Sequence, residues 1–278
     1  MTEIPFYRDF DFEYGVLETV SPLVRRIVAR NPGGFTGPGT GTYVIGHGRV
    51  AVIDPGPALT SHVDALLHAL RSETIEQILI THTHPDHWPA AAAIQRTSGA
   101  PTYGFHMDRT MRDGDVLEGD GWRITAVHTP GHTSDHLSFA LEEERVLFSG
   151  DHVMGWSTSV IIPPDGDMGD YMRSLEKLLR RDDAIYLPTH GPAITDPKPY
   201  VQSFIEHRKE RTAAILRQLR KGVTTIPEIV DAVYVGLSSG LRGAAGLSVT
   251  AHLIELVGEG KVACDDDPST ARHFRLAR

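Results

Sequence analysis

The sequence predicts an α/β domain followed by a smaller, mainly helical unit. Three observations lead there. From Leu23 to Leu187, short β-rich runs punctuated by Gly and Pro alternate with a few helical stretches. After Pro197 the texture turns helical. The charge divides at the same place: residues 1–195 carry 15 basic and 26 acidic side chains (net −11), and residues 196–278 carry 12 and 10 (net +2). The expected units are therefore 1–196 and 197–278.

Taken in order, 50–53 (Val-Ala-Val-Ile) and 78–80 (Ile-Leu-Ile) are apolar and largely β-branched, each followed by a turn or polar signal, and read as buried strands. Between them, 61–72 places Val63, Leu66, Leu67 and Leu70 at helical spacing behind a Thr/Ser cap. Residues 123–127 alternate with period two, and 145–148 and 184–187 are further strands. A helix over 168–181 carries Tyr171, Met172, Leu175, Leu178 and Leu179 on one face. The run 31–41 holds too much Gly and Pro for regular structure, and reads as a loop bordering a site or entering a sheet. Beyond Pro197, 200–221 forms a helix stopped by Gly222, then come helices over 226–234 and 247–257 and a hairpin over 261–276. Helix, helix, helix, small β-wing is the order of a winged helix.

With 40% hydrophobic and 23% charged residues in 278, disorder, collagen and fibre readings are excluded. A single cysteine, Cys264, rules out an intramolecular disulfide and a cysteine-based zinc cluster, and suits a reducing compartment. No stretch approaches the roughly 18 apolar residues of a membrane span, and residues 1–15 contain no apolar leader core. A cytosolic protein is expected, with no membrane contact; no stable protein partner is evident, and a homo-oligomer is compatible with the sequence.

The chemistry concentrates in Thr81-His82-Thr83-His84-Pro85-Asp86-His87. His82 and His84, two residues apart in an extended segment, project the same way, and the turn at Pro85 brings Asp86 and His87 round to them. Three imidazoles and a carboxylate within six residues offer the donors that zinc, or iron or manganese, accepts. With no Cys nearby to close a structural site, an open hydrolytic one is expected. Three later pieces, each ending a predicted strand, supply partners: Gly131-His132, Gly150-Asp151 and His190-Gly191. An adjacent Gly lets backbone approach an ion closely or bend sharply.

These motifs, in this order and spacing, resemble the metallo-β-lactamase superfamily. The resemblance implies a four-layer αβ/βα sandwich with metals at the sheet edges. Carried over by position, His82, His84 and His132 would hold one metal, Asp86, His87 and His190 a second, and Asp151 would bridge them. Asp54, in Val-Ile-Asp-Pro-Gly, would support the site without binding metal. A narrower resemblance, to the β-lactamase-like-protein-2 group, rests on Asn31-Pro-Gly-Gly-Phe-Thr with Gly39-Thr-Gly-Thr-Tyr43, on 131–136 (Gly-His-Thr-Ser-Asp-His), 150–156, 163–168 with Tyr171-Met172, and 204–208 before a winged helix. Some members of that group cut single-stranded RNA. Gly41 departs from the group's usual Asn, and Ser134-Asp135-His136 departs from the Pro-Gly-Ser of thioesterase relatives, which argues against a glyoxalase-type enzyme.

Two nearby dications lower the pKa of a shared water, so hydroxide forms near neutral pH, and they polarise the bond under attack. Asp86 is the expected catalytic carboxylate, orienting the nucleophile and passing on its proton. The same set serves esters and phosphodiesters. A domain of net −11 is a poor phosphate binder, which favours a small ester, lactone or β-lactam. The helix after Phe204, where Arg208, Lys209, Arg211, Arg217, Arg220 and Lys221 outnumber Glu206 and Glu210, is the candidate RNA contact, or else a solvated helix with cations near its C-terminus. A non-catalytic binding module with a vestigial site is the reading from another class, and a mononuclear iron oxygenase uses a subset of the ligands. His136 and His152, which flank candidate ligands, read as supporting donors or proton shuttles or else as structural histidines, and Trp156 and Tyr171 as pocket lining or else core packing.

Overall fold

Strand alternation sorts side chains to two faces, and that sorting builds the layers. The computed structural model describes residues 4–237 and 239–277. Its first sheet has seven strands in chain order: β1 (Glu18–Thr19), β2 (Val24–Val28), β3 (Gly41–Ile45), β4 (Arg49–Ile53), β5 (Thr74–Leu79), β6 (Thr102–Gly104) and β7 (Arg109–Thr110). Pairing is antiparallel from β1 to β4 and parallel from β4 to β7. Parallel neighbours need crossovers, and the helices α1 (Thr60–Ala69) and α2 (Ala91–Ser98) provide the first two. The second sheet contains β8 (Val116–Gly119), β9 (Trp122–His128), β10 (Leu137–Leu141), β11 (Val146–Gly150) and β12 (Ile185–Pro188), in spatial order β12-β11-β10-β9-β8. Only β11 and β12 pair in parallel, joined through helix α3 (Met168–Leu179).

In β4, Val50 and Val52 pack with Leu66 of α1, with Leu70 just past its end, and with Ile94 of α2. The alternate residues Ala51 and Ile53 join the core between the sheets, with Phe139, Phe148 and Leu187. On the far face of the second sheet, Val127, Ala140, Leu147 and Tyr186 are covered by Tyr171 and Leu175 of α3 and by Tyr200 and Phe204 of α4 (Pro197–Arg220). The order is helix, sheet, sheet, helix, the expected four-layer αβ/βα sandwich.

The second half of α4 belongs to another core. Ile215 and Leu219 pack with Ile229 of α5 (Ile226–Val233), with Val249, Leu253 and Leu256 of α6 (Arg242–Gly258), and with Phe274 of the hairpin β13 (Val262–Cys264) and β14 (Phe274–Leu276). This is the expected winged helix.

Two local readings are corrected. The predicted Thr/Ser cap on α1 is absent: the cap position is Leu59, no side chain caps it, and Thr60 opens the helix itself. The helix read as 247–257 starts at Arg242. Gly243 and Gly246 dilute the apolar stripe there, although Ala245 is already buried.

Candidate metal centre

The strand directions decide where the ligands meet. β4 and β5 run parallel in the first sheet. In the second, β9 and β11 both oppose β10, and β12 runs with β11. The carboxyl ends of these five strands deliver Asp54 (after β4), the 82–87 run (after β5), His132 (after β9), Asp151 (after β11) and His190 (after β12). Hydrogen bonds between the two halves hold those ends together: the Leu137 N–H donates to the Thr81 carbonyl (2.7 Å), the Gly41 N–H to the Thr189 carbonyl (2.8 Å), and the Tyr43 hydroxyl to the Pro188 carbonyl (2.7 Å).

The candidate ligand atoms fall into two adjacent groups. His82, His84, His132 and Asp151 form one, and Asp86, His87 and His190 the other, with the ligand atoms of each group within 4.8 Å of one another. In the first, His84 Nδ1 lies 2.9 Å from His82 Nε2 and 3.1 Å from His132 Nε2. Asp151 reaches toward both groups. Its Oδ2 is 3.6 Å from His132 Nε2 and from His87 Nε2, and its Oδ1 is 3.4 Å from His190 Nε2.

Four imidazoles are fixed from behind. His87 Nδ1 donates to Asp54 Oδ2 (2.8 Å), His132 Nδ1 to the Val160 carbonyl (2.7 Å), His190 Nδ1 to the Gly39 carbonyl (3.1 Å), and His82 Nδ1 to Thr81 Oγ1 (3.0 Å). A proton held on Nδ1 leaves Nε2 as a lone pair directed at the cluster, the arrangement metal-binding histidines use. Among the described residues, His87 Nε2 and Asp151 Oδ1 are buried without a hydrogen-bond partner. Such atoms are costly unless something binds them, so five imidazoles and two carboxylates of this geometry fit divalent cations.

Asp54 does more than mark a turn. It is fully buried with φ +46°, and its carboxylate accepts from the Thr81 N–H and hydroxyl, from the Thr189 hydroxyl and from His87. Left-handed backbone is tolerated by Asp better than by most residues. The 31–41 run both borders the centre and enters the sheet: Gly39 carries the carbonyl for His190 and Gly41 opens β3. Gly39 sits at φ +147°, and a Cβ there would lie 2.2 Å from the Ala29 carbonyl.

The electrostatics sort the histidines. Burial, then neighbouring imidazoles, push His82 well below the ordinary value; burial also lowers His132, against Asp151. For His87 and His190 burial acts the same way, but Asp151, with Asp54 or Asp86, outweighs it and holds both above the ordinary value. Burial opposes charge on Asp151 too, yet His190 and His87 keep it well below the carboxylate range.

Comparison with known proteins gives the family. The sequence profile described as "Metallo-beta-lactamase superfamily" matches residues 35–111 and 102–190. The chain belongs to the metallo-beta-lactamase superfamily. A second profile, "Beta-lactamase associated winged helix domain", matches 225–272. The "Lactamase-like protein adaB" of Aspergillus niger is 31% identical, over 98% of this chain and 96% of its own length. The "Beta-lactamase-like protein 2 homolog" of Caenorhabditis elegans is 35% identical over 88% of both chains. The "Atrochrysone carboxyl ACP thioesterase" of Aspergillus chevalieri is 31% identical, over 93% of this chain and 88% of that one. A beta-lactamase domain protein from Burkholderia ambifaria has the same fold, with a TM-score of 0.83 at 16% identity over 97% of this chain and 96% of that one.

As a member of that superfamily the chain is a metal-dependent hydrolase. Among the described residues no helix is long and apolar enough to cross a membrane.

Several further residues lie around the centre, some of them in the quoted motifs but none with a single role readable from the sequence. Asp135 Oδ2 accepts from the Thr83 N–H (3.2 Å) and hydroxyl (2.8 Å), anchoring the ligand run from the opposite sheet. Ser159 Oγ donates to the Asp151 (2.5 Å) and His152 (2.8 Å) carbonyls. His136 is fully buried: its Nε2 accepts the Asp151 N–H (3.1 Å) and its Nδ1 donates to Thr129 Oγ1 (2.9 Å). His152 is also buried, with neither ring nitrogen hydrogen-bonded. Tyr171 is core, its hydroxyl donating to the His152 carbonyl (2.9 Å). The Trp156 ring is packed against by Gly37 and Gly191.

One reading is overturned. Arg208 is neither solvated nor free for RNA: it is 4% exposed, stacks over Tyr171 at 5.1 Å, and donates to the Ser159 carbonyl (2.5 Å). Charge alone cannot tell a cation on a helix surface from one turned into a core.

Proposed function

We propose that the chain hydrolyses an acyl ester or thioester with two divalent ions, His82, His84 and His132 holding one, Asp86, His87 and His190 the other, and Asp151 spanning both. The observation that carries this is the convergence of two ligand groups on a shared carboxylate whose buried Oδ1 has no hydrogen-bond partner. A nitrogen-rich donor set suits zinc, and iron or manganese also accept it. Two such ions supply a hydroxide near neutral pH and polarise the carbonyl under attack. Asp86 contributes the acid-base group. Its side chain is 26% exposed, with Oδ2 3.1 Å from His190 Nε2, and burial, which opposes its charge, is outweighed by His190 and His87, so it is ionised and able to accept a proton.

The acyl reading is supported by the net −11 of residues 1–195, by a thioesterase among the relatives, and by the engagement of Arg208. Single-stranded RNA is the second reading, favoured by the exposed Lys209, Arg217, Arg220 and Lys221. The complete set of seven ligand side chains weighs against a vestigial site. Residues 1–196 are read as the catalytic unit and 197–278 as linker helix and winged helix, in a reducing, cytosolic setting suited to one cysteine.

The test is to count metals in the purified protein and assay it, before and after chelation, on a thioester, an aryl ester, a lactone, a β-lactam and single-stranded RNA. Two ions per chain and metal-dependent acyl hydrolysis are expected, with kcat of Asp86→Ala down about 10²-fold or more. A protein still inert after zinc, manganese or iron is supplied would overturn the reading.

A further inference from the structure

Residues 154–156, which follow β11 and carry no ligand, lie against the turn that carries His190. A Cβ on Gly155 would stand 2.6 Å from the Pro192 carbonyl oxygen, and one on Gly191 would stand 2.7 Å from Trp156 Cδ1. The other edge of the same ring meets the 31–40 loop, where a Cβ on Gly37 would stand 2.9 Å from Trp156 Cε2. Packed carbon atoms sit about 3.5–4.0 Å apart, so the indole fills the space that a side chain at either glycine would need.

Both glycines bear on one ligand. Gly191 directly follows His190, and Gly37 is tied to Gly39, whose carbonyl accepts from His190 Nδ1 (3.1 Å). The tie is a tight loop: Gly33 and Gly37 exchange both backbone hydrogen bonds (3.0 and 2.9 Å), and the Gly39 N–H donates to the Thr36 carbonyl (3.0 Å). The indole is thus packed between the backbone that follows the ligand and the loop that orients the ligand's ring. Its own segment is anchored from behind. The Tyr200 hydroxyl is shared between the Met154 (2.9 Å) and Gly155 (3.0 Å) carbonyls, and the Tyr7 N–H donates to the Gly155 carbonyl (2.9 Å). Trp156 Nε1 is buried with no hydrogen-bond partner among the described residues, so the ring acts here by its shape.

We infer that Trp156 is a positioning residue for the second ion: its ring fixes His190, and through it the group of Asp86, His87 and His190. The inference rests on the two-ion reading above. A shift of His190 is felt across that group, because Asp86 Oδ2 lies 3.1 Å from His190 Nε2. The first group is held by other partners, Thr81 behind His82 and Val160 behind His132.

The metal-free full chain is titrated with Zn2+ against a chromophoric chelator and with Co2+ by visible absorption. His84→Ala and His190→Ala show which binding step belongs to which group. Trp156→Leu, which keeps an apolar side chain but no flat ring, and Trp156→Ala should each weaken the step lost in His190→Ala about 10–100-fold, as losing a group that orients a ligand does. The other step should stay as in the parent. Trp156→Phe keeps a ring and removes only the unpartnered N–H, so it should bind both ions nearly as the parent does. Trp156→Leu decides if Trp156→Ala does not fold. Equal weakening of both steps, parental affinity in Trp156→Leu, or a loss in Trp156→Phe as large as in Trp156→Leu overturns the role of Trp156 and leaves the two-ion reading in place. A parent that takes up one ion or none overturns both.

Discussion

An imidazole binds a cation through one nitrogen, so what its other nitrogen meets decides how well it binds. The seven side chains proposed as ligands were legible in the sequence as a set, because spacing and residue type announce them, and the fold brings them into two adjacent groups. Their holders were not: Val160 and Gly39 act through backbone carbonyls, which any residue carries, and Asp135 through contacts to residues some fifty positions away. His136 is the sharpest of these cases, since it grips a ligand's main chain. Its Nε2 accepts the Asp151 N–H, its Nδ1–H is fixed by Thr129, and Thr129 Oγ1 is in turn 2.9 Å from Ser138 Oγ. Burial first, then His152 and His132, hold it well below the ordinary imidazole value, so it stays a neutral acceptor. His136→Leu leaves the Asp151 N–H unsatisfied, at a cost of about 1–3 kcal/mol, and should weaken metal affinity about 10–100-fold. His136→Gln keeps an acceptor near the Nε2 position and should recover much of that loss. Competition with a chromophoric chelator reads the affinity, and parental binding by both variants would refute the role.

Elements were legible where pattern and length agreed. β4, β9, β11 and β12, each four to seven residues long, followed their runs, and α3 followed its stripe into the core; β5 begins at Thr74, four residues ahead of the apolar run that marks it, and ends at Leu79. β1 and β7, with two residues each, are too short to show a period. The helix α4 was legible as a helix, but its allegiance was not. Tyr200 and Phe204 pack on the sandwich, Ile215 and Leu219 on the winged helix, and Arg208 points its charge inward between them. Neighbouring cations on α4 therefore predict opposite outcomes. Arg208→Glu buries an unpaired carboxylate against the Ser159 carbonyl, and an uncompensated buried charge costs about 3–5 kcal/mol; the melting temperature and the metal content should fall together. Lys209→Glu is exposed and should stay within about 0.5 kcal/mol of the parent. If Lys209→Glu lowers only RNA cleavage, the second substrate reading gains; if Arg208→Glu melts like the parent, the packing role assigned to Arg208 is wrong.

At the scale of the molecule, the two cores are joined by α4 and by contacts of α3 with α6, and the joint contains histidines that must stay neutral. His252 is fully buried; its Nδ1 donates to Thr212 Oγ1 (3.0 Å), and its Nε2 has no hydrogen-bond partner among the described residues. Burial, then Arg208, His207 and Arg211, push its pKa down to about 3, and burial with Arg208 and Arg211 takes His207 to about 4. An unfolded imidazole titrates near 6.5. Between that value and the folded ones, the unfolded chain takes up protons that the joint refuses. The stability these groups contribute is therefore complete above about pH 6.5 and is lost as the pH falls through the window, by up to about 1.4 kcal/mol per pH unit for each group. Ligand histidines with lowered values add to the same acid loss, so the wild-type slope alone does not isolate the joint. His252→Leu does, because it removes one proton uptake and keeps an apolar side chain in the space, while Thr212 Oγ1 still donates to the Arg208 carbonyl. Guanidinium unfolding of the two proteins in the same metal state, at pH 7.5, 6 and 5, should give the variant a shallower fall by about 1.4 kcal/mol per unit below pH 6. Parallel curves would mean that His252 takes up its proton in the folded protein, and that the joint does not exclude charge.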